Sequence, residues 1–70
     1  MELILEKVYV EDELVGCEVE YKTSDGETRT AKIDSVYWSN RISKLVYECV
    51  SPYGHTINFL RHEFKVVISQ

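Results

Sequence analysis

The residues of this 70-residue sequence that we consider as ingredients of a catalytic or zinc site are Cys17, Ser35, Cys49, His55 and His62. Structural zinc sites draw their ligands from close pairs such as Cys-x₂-Cys, and no two Cys or His residues here are closer than Cys49 and His55, six positions apart. A catalytic nucleophile needs a base within hydrogen-bond reach and a third group that orients that base. The spacing selects no such arrangement. We therefore expect no catalytic residue, no metal and no cofactor, and a protein that is not an enzyme.

Aromatic and basic residues near predicted turns form a second chemical set. Rings beside cations are what binding of single-stranded nucleic acid requires, and exposed rings also anchor protein partners. Packing in the core is the competing role for some of them, because a small domain fills its interior with large rings. The candidate partner-binding residues are Tyr9, Tyr37, Trp38, Arg41, Tyr53, His55 and Arg61.

The charges are distributed unevenly along the chain, whose net charge is −4. Residues 1–27 hold nine acidic and two basic residues, a net charge of −7, and residues 28–70 hold three acidic and six basic residues, a net charge of +3. This split is consistent with one acidic and one basic surface. It is equally consistent with opposite charges interleaved on adjacent strands. An acidic protein lacks the basic footprint that is usual for nucleic-acid binding.

The stretch that organises the chain is residues 15–38. Apolar and polar residues alternate on both sides of Ser24-Asp25-Gly26-Glu27, a period of two that predicts strands with one dry face. Asp-Gly between such runs is a strong hairpin signal, because glycine accepts a positive φ. In the second arm the inward positions change from odd to even numbers, which predicts a β-bulge near Asp34-Ser35. The predicted inward residues are Val15, Cys17, Val19, Tyr21, Ala31, Ile33, Val36 and Trp38.

The rest of the chain reads as short strands separated by turns. The first strand is apolar on both faces, with Leu3, Leu5 and Tyr9 on one of them, and a helix is the alternative for residues 2–8. In the strand over residues 43–50 we expect Leu45, Tyr47 and Cys49 to point inward and Val46 outward. The predicted segments are a strand over 3–10, an acidic loop over 11–13, turns over 39–41 and 51–54, strands over 43–50, 55–60 and 64–68, and a 3₁₀ turn over 60–63.

This order of hairpin, bulged strand, two short turns, 3₁₀ turn and closing strand resembles the SH3-like small barrels of the Tudor and KOW kind. The resemblance covers about four-fifths of the chain. It implies an all-β fold, a small barrel of five to six short antiparallel strands with a one-turn 3₁₀ element before the last strand. It also implies a non-catalytic binding module. The residues that carry it are Val15-Gly16, Val19, Tyr21, Asp25-Gly26, Ala31-Lys32-Ile33, Tyr53-Gly54 and 59–67.

Size and composition indicate a single domain over residues 1–70, with 44% hydrophobic residues. The sequence has no apolar run long enough to span a membrane, and Glu2 and Glu6 bracket its first apolar residues, unlike a signal peptide. We therefore expect a cytoplasmic protein without a membrane partner. Cys17 and Cys49 are expected to be buried thiols, with a cross-strand disulfide as the alternative.

The function that these features favour is protein–protein interaction. We expect a regulator or inhibitor of a partner protein, such as small phage-encoded proteins that block a host factor. Its apolar patch would comprise Val46, the face of Leu3, Leu5 and Tyr9, and the turn from Trp38 to Ile42. Self-association through an edge strand would use the same surface and make a homo-oligomer. The alternatives are nucleic-acid binding by the basic second half and a structural subunit of a larger assembly.

Overall fold

The structure is a computed structural model that describes residues 6–67. It is all-β, with antiparallel strands and one 3₁₀ turn, as predicted. The predicted residues Leu3, Leu5 and Ile68 lie outside the described part of the chain. The elements are β1 (Lys7–Val10), β2 (Glu18–Lys22), β3 (Thr28–Ser39), β4 (Lys44–Val50), β5 (Thr56–Phe59), the 3₁₀ turn (Arg61–Glu63) and β6 (Lys65–Val66).

The long strand β3 is the centre of the sheet. β4 pairs along one of its edges, while β2 and β1 follow one another along the other edge, β2 on the first half of β3 and β1 on the second. β5 extends the sheet beyond β4, and β6 extends it beyond β2. Within residues 6–67, β5 pairs only with β4 and β6 only with β2, so the sheet is open.

Two hairpin loops of the same design lie between β2 and β3 and between β4 and β5. In the first, the Gly26 amide donates to the Thr23 carbonyl at 3.0 Å, and Gly26 adopts the predicted positive φ, 86°. In the second, the Gly54 amide donates to the Ser51 carbonyl at 2.9 Å, and its φ is 85°. A hydroxyl reinforces each loop: Thr23 Oγ1 accepts from the Glu27 amide and Ser51 Oγ from the His55 amide, both at 3.1 Å.

The predicted bulge is confirmed in β3, where the register with β4 shifts between Ile33 and Ser35. Before the bulge, the backbone of Ile33 is hydrogen-bonded to the residue that precedes β2. Its amide donates to the Cys17 carbonyl at 2.9 Å. Because Asp34 is an extra residue on one strand, the inward positions change from odd to even numbers. Ile33 and Val36 can therefore both be buried, at 1% and 0% exposure.

The core lies on the concave face of the curled sheet. The rings of Tyr21 on β2 and Phe59 on β5 approach to 4.7 Å between centroids, although two strands stand between β2 and β5 in the sheet order. A flat sheet would hold strands at those positions roughly 14 Å apart, so the sheet bends around its interior. The buried apolar cluster is Val19, Ala31, Ile33, Val36, Tyr47, Cys49 and Phe64.

Several predicted orientations are wrong. Val15 is 44% exposed, because it lies in a turn that precedes β2. Trp38 is on the concave face but beyond the end of the core, so it is 38% exposed. Val46, predicted to be exposed, is buried with Tyr37 on the convex face. These two residues pair across β3 and β4, and the Tyr9 ring covers Tyr37 at 5.5 Å.

The charges of β2 interleave with those of its neighbours. The register sets Glu18 opposite Lys32 of β3 and Glu20 opposite Lys65 of β6. Of the two distributions that the sequence left open, the interleaved one holds in this part of the sheet. The acidic loop over residues 11–13 is held by Asp12, whose Oδ1 accepts from the Leu14 amide at 2.9 Å.

Candidate functional site

The predicted binding residues are divided among separate parts of the molecule. Trp38 and Arg41 lie at the β3–β4 turn, and Tyr53 and His55 lie at the other end of β4. Roughly 20 Å of strand separates these two ends. Tyr9 and Tyr37 lie on the convex face. Arg61 lies in the 3₁₀ turn, where its guanidinium packs 5.1 Å from the centre of the Phe64 ring.

The β3–β4 end carries an exposed apolar surface on the concave face. Val8, Trp38 and Leu45 stand side by side in the register of β1, β3 and β4, and Ile42 lies in the turn. Each of them is at least partly exposed, from 36% for Leu45 to 46% for Ile42. We call these four residues the Trp38 surface.

The Trp38 surface is exposed because the sheet is longer than its core. The next row inward, Val10, Val36 and Tyr47, contacts the buried cluster through Val36 and Tyr47. Phe64 covers that row, its ring 5.2 Å from the Tyr47 ring. Only the β1, β3 and β4 strands continue past it. The last apolar row of these strands, Val8, Trp38 and Leu45, is therefore exposed on the concave face.

The ring of Trp38 is held in place by its own turn. The indole Nε1–H donates to Asn40 Oδ1 at 3.0 Å. The turn is closed by the Ser43 amide, which donates to the Ser39 carbonyl at 2.7 Å. A ring fixed before contact loses less conformational entropy on binding than a free one.

The rim of the Trp38 surface includes Arg41, which lies in the exposed turn. Lys44 precedes Leu45 in β4, so strand alternation directs it to the opposite, convex face. The Arg41 guanidinium lies 3.9 Å from the Glu6 carboxylate in a pair that is exposed on both sides. Exposed pairs of this kind contribute little, so Arg41 remains accessible to a carboxylate of a partner.

The convex face of the same strands carries a small tyrosine cluster. Tyr9 packs on Tyr37, and the Lys7 ammonium lies 4.9 Å from the centre of the Tyr37 ring. A hydrogen bond to the Glu48 carboxylate raises the pKa of Tyr9, with smaller contributions from desolvation and from the charge of Glu48. Glu48 also accepts a hydrogen bond from the Ser35 hydroxyl at 2.6 Å.

An open groove of ≈ 760 Å³ lies at the opposite end, between the two hairpin loops. Tyr53 and His55 line one wall, and Arg29 and Thr28 line the other. Tyr53 is 84% exposed. The Arg29 guanidinium lies 3.0 Å from the Glu27 carboxylate in a pair that is also exposed on both sides.

The cysteines flank Ile33 on neighbouring strands, Cys17 by a backbone hydrogen bond and Cys49 by register. Two strand spacings place their backbones roughly 10 Å apart, beyond the reach of a disulfide. Both are free thiols. Within residues 6–67, no group of three or more His, Cys, Asp or Glu side chains is placed to hold a metal ion.

Sequence reasoning placed Ile42 in an exposed apolar patch but missed Val8 and Leu45, and it expected Leu45 to point inward. The signal available was length: β3 has 12 residues while β2 has 5 and β1 has 4. Because β3 is longer than β2, the end of β3 that lies past β2 extends beyond the core.

Comparisons of the chain with models of protein families, with curated proteins and with solved structures found no match. None of the described residues belongs to a helix of the length and apolar character needed to cross a membrane.

Proposed function

We propose that this protein is a non-catalytic binding module that docks onto a partner protein through the Trp38 surface. The observation that carries the proposal is the row of Val8, Trp38 and Leu45, which is apolar, contiguous and open. Tryptophan is enriched among the residues that dominate binding energy at interfaces.

The rim indicates the chemistry of the partner. Arg41 lies beside the apolar row, in the turn next to Ile42, so the complementary surface offers apolar side chains with a carboxylate at their edge. In this arrangement the apolar row supplies affinity, and the rim supplies orientation and association rate.

The resemblance to SH3-like barrels supports the same function. The curled sheet and the 3₁₀ turn before the last strand are features that this chain shares with such barrels, and we infer that the domain belongs to this architecture. We infer that the protein regulates or inhibits its partner by covering that partner's surface. Small phage-encoded proteins that block a host factor act in this way.

Matched variants at the two ends of β4 test the proposal. Leu45→Lys and Ile42→Lys place charges on the Trp38 surface, and Tyr53→Ala removes the exposed ring at the far end as the control. In capture from a lysate of the cells that make the protein, we expect one interaction that Tyr53→Ala keeps and both lysine variants lose. Far-ultraviolet circular dichroism checks that each variant remains folded. An interaction partner retained by both lysine variants would contradict the proposal.

The groove between the hairpin loops favours nucleic acid as a second candidate function. Tyr53, His55 and Arg29 combine an exposed ring with two basic side chains, as single-strand binding requires. Fluorescence anisotropy with labelled single-stranded DNA and RNA at low salt tests this function, since electrostatic association is strongest there. Binding that Tyr53→Ala abolishes and Ile42→Lys leaves intact would select this function over the first.

A further inference from the structure

β1 has an edge that no strand covers within residues 6–67. All four residues of β1, Lys7–Val10, are exposed. The Asn40 amide donates to the Glu6 carbonyl at 2.9 Å, so the even-numbered residues of this strand direct their backbone groups toward β3. Because these groups alternate along an antiparallel strand, the N–H and C=O of Lys7 and Tyr9 point away from the sheet, and Glu11 follows directly after the strand.

We propose that β1 pairs with β1 of a second copy of this chain, antiparallel and centred on Tyr9. In this register Tyr9 faces Tyr9, Val8 faces Val10, and Lys7 faces Glu11. The outward backbone groups of Tyr9 then pair with those of Tyr9 in the other copy, and the outward groups of Lys7 lie opposite Glu11, the residue that follows β1. On each side of the two-fold axis, the Lys7 ammonium of one copy faces the Glu11 carboxylate of the other. Cross-strand pairs of opposite charge are stabilising.

Neighbouring registers are less favourable. Centring the pair on Val8 sets Lys7 against Tyr9 and leaves Glu11 without the ammonium. Centring it between Val8 and Tyr9 sets Glu6 against Glu11 and opposes outward backbone groups to inward ones. Charge complementarity and hydrogen-bond direction therefore select the same register.

The one like-charge pair in the selected register lies outside the strand. Glu6 would face Asp12, but the Glu6 carboxylate is directed to Arg41 at 3.9 Å. Asp12 accepts from the Leu14 amide in the turn that follows β1. Neither carboxylate is needed for pairing.

The pairing would join the concave faces of the two copies. The row Leu45, Trp38 and Val8 of one copy continues into Val10 and Val36 of the other, so apolar residues meet apolar residues across the new boundary. The six strands β4, β3, β1, β1, β3 and β4 would form one sheet. Of the Trp38 surface, only Val8 lies on the paired strand, and the pairing does not depend on the proposed function.

Charge reversal tests the proposal by analytical ultracentrifugation. The wild-type protein is expected to dimerise. Lys7→Glu and Glu11→Lys each place like charges together at two positions, so each variant alone should have a dimer dissociation constant roughly tenfold higher or more. Mixing the two variants restores both opposite-charge pairs, and a mixed dimer of near wild-type affinity is expected. A wild-type protein that remains monomeric at millimolar concentration, or single variants that dimerise as well as wild type, would overturn the proposal.

A cysteine at position 9 tests the register directly. With Cys17→Ser as background, Tyr9→Cys places a thiol opposite its own copy, about 5.5 Å away between Cα atoms, within reach of a disulfide. Under mild oxidation we expect a covalent dimer on a non-reducing gel. The matched control Lys7→Cys, in the same background, faces Glu11 and should remain monomeric on the gel. Equal cross-linking at both positions would contradict a pair centred on Tyr9.

Discussion

Cys49 is expected to resist alkylation in the folded protein, while Cys17 reacts. Cys49 has no exposed surface and belongs to the buried cluster, where its thiol donates to the Tyr47 carbonyl at 3.7 Å. Burial raises the pKa of Cys49 from 9.0 to about 11, since a thiolate loses its hydration in an apolar interior. Cys17 is half-buried at the start of the β2 edge.

The size of the effect follows from the thiolate population. At pH 8, a thiol of ordinary pKa is about one-tenth ionised, whereas one of pKa about 11 is about one-thousandth ionised. Because the thiolate is the nucleophile, ionisation alone slows the reaction about a hundredfold. Lack of access slows it further, until labelling of Cys49 is limited by transient opening.

The assay is iodoacetamide labelling followed by intact mass, with Cys17→Ser and Cys49→Ala as matched variants. In native buffer we expect one adduct on the wild type, none on Cys17→Ser and one on Cys49→Ala. In denaturant every remaining cysteine should react. Equal rates for Cys17 and Cys49 in native buffer would refute the reasoning about burial.

The same shift predicts a loss of stability at alkaline pH. The folded pKa of Cys49 is higher than the unfolded value, so its contribution is present below pH 9 and is lost as the pH rises through about 11. Complete ionisation would cost about 3 kcal/mol of unfolding free energy. In urea titrations between pH 7 and pH 10.5, Cys49→Ala should lose less stability than wild type. Parallel pH profiles would contradict this prediction.

Four substitutions test the fold by urea denaturation. Val36→Ala truncates a residue with no exposed surface and should lower the free energy of unfolding by about 2 kcal/mol. Val10→Ala truncates a residue in the same row that is 38% exposed, and its loss should be less than half as large. Equal losses would contradict a core that ends between these two residues. Gly26→Ala introduces a Cβ at φ 86° and should lower the free energy of unfolding by about 1 kcal/mol. An unchanged urea midpoint would contradict the positive φ at position 26. Ser43→Gly relieves a residue at φ 56° and should add up to about 1 kcal/mol; a loss of stability would show that Ser43 makes compensating contacts.

Local patterns predicted the features of this fold that depend on neighbouring residues. The Asp25-Gly26 turn, the bulge at Asp34, the 3₁₀ turn and the alternation of Val19, Ala31 and Ile33 were all readable. Each follows from backbone geometry or from a period of two, and both act over a few residues.

The candidate site was only partly readable. Trp38 was predicted to be a binding residue from its type and its place near a turn. Its neighbours Val8 and Leu45 come from β1 and β4, so the sequence did not group them with it. Tyr37 and Tyr9 were candidates by the same reasoning, yet Tyr37 is buried beneath Tyr9. Residue type does not tell which face a neighbouring strand will cover.

By itself the sequence determined that this protein is all-β, with its turns and its one bulge, because turn chemistry and alternation are local properties of the chain. Only the tertiary structure decided where the core ends. That boundary depends on how far Phe64 and Phe59 reach over the sheet when it curls. The apolar residues past that boundary are the ones left exposed.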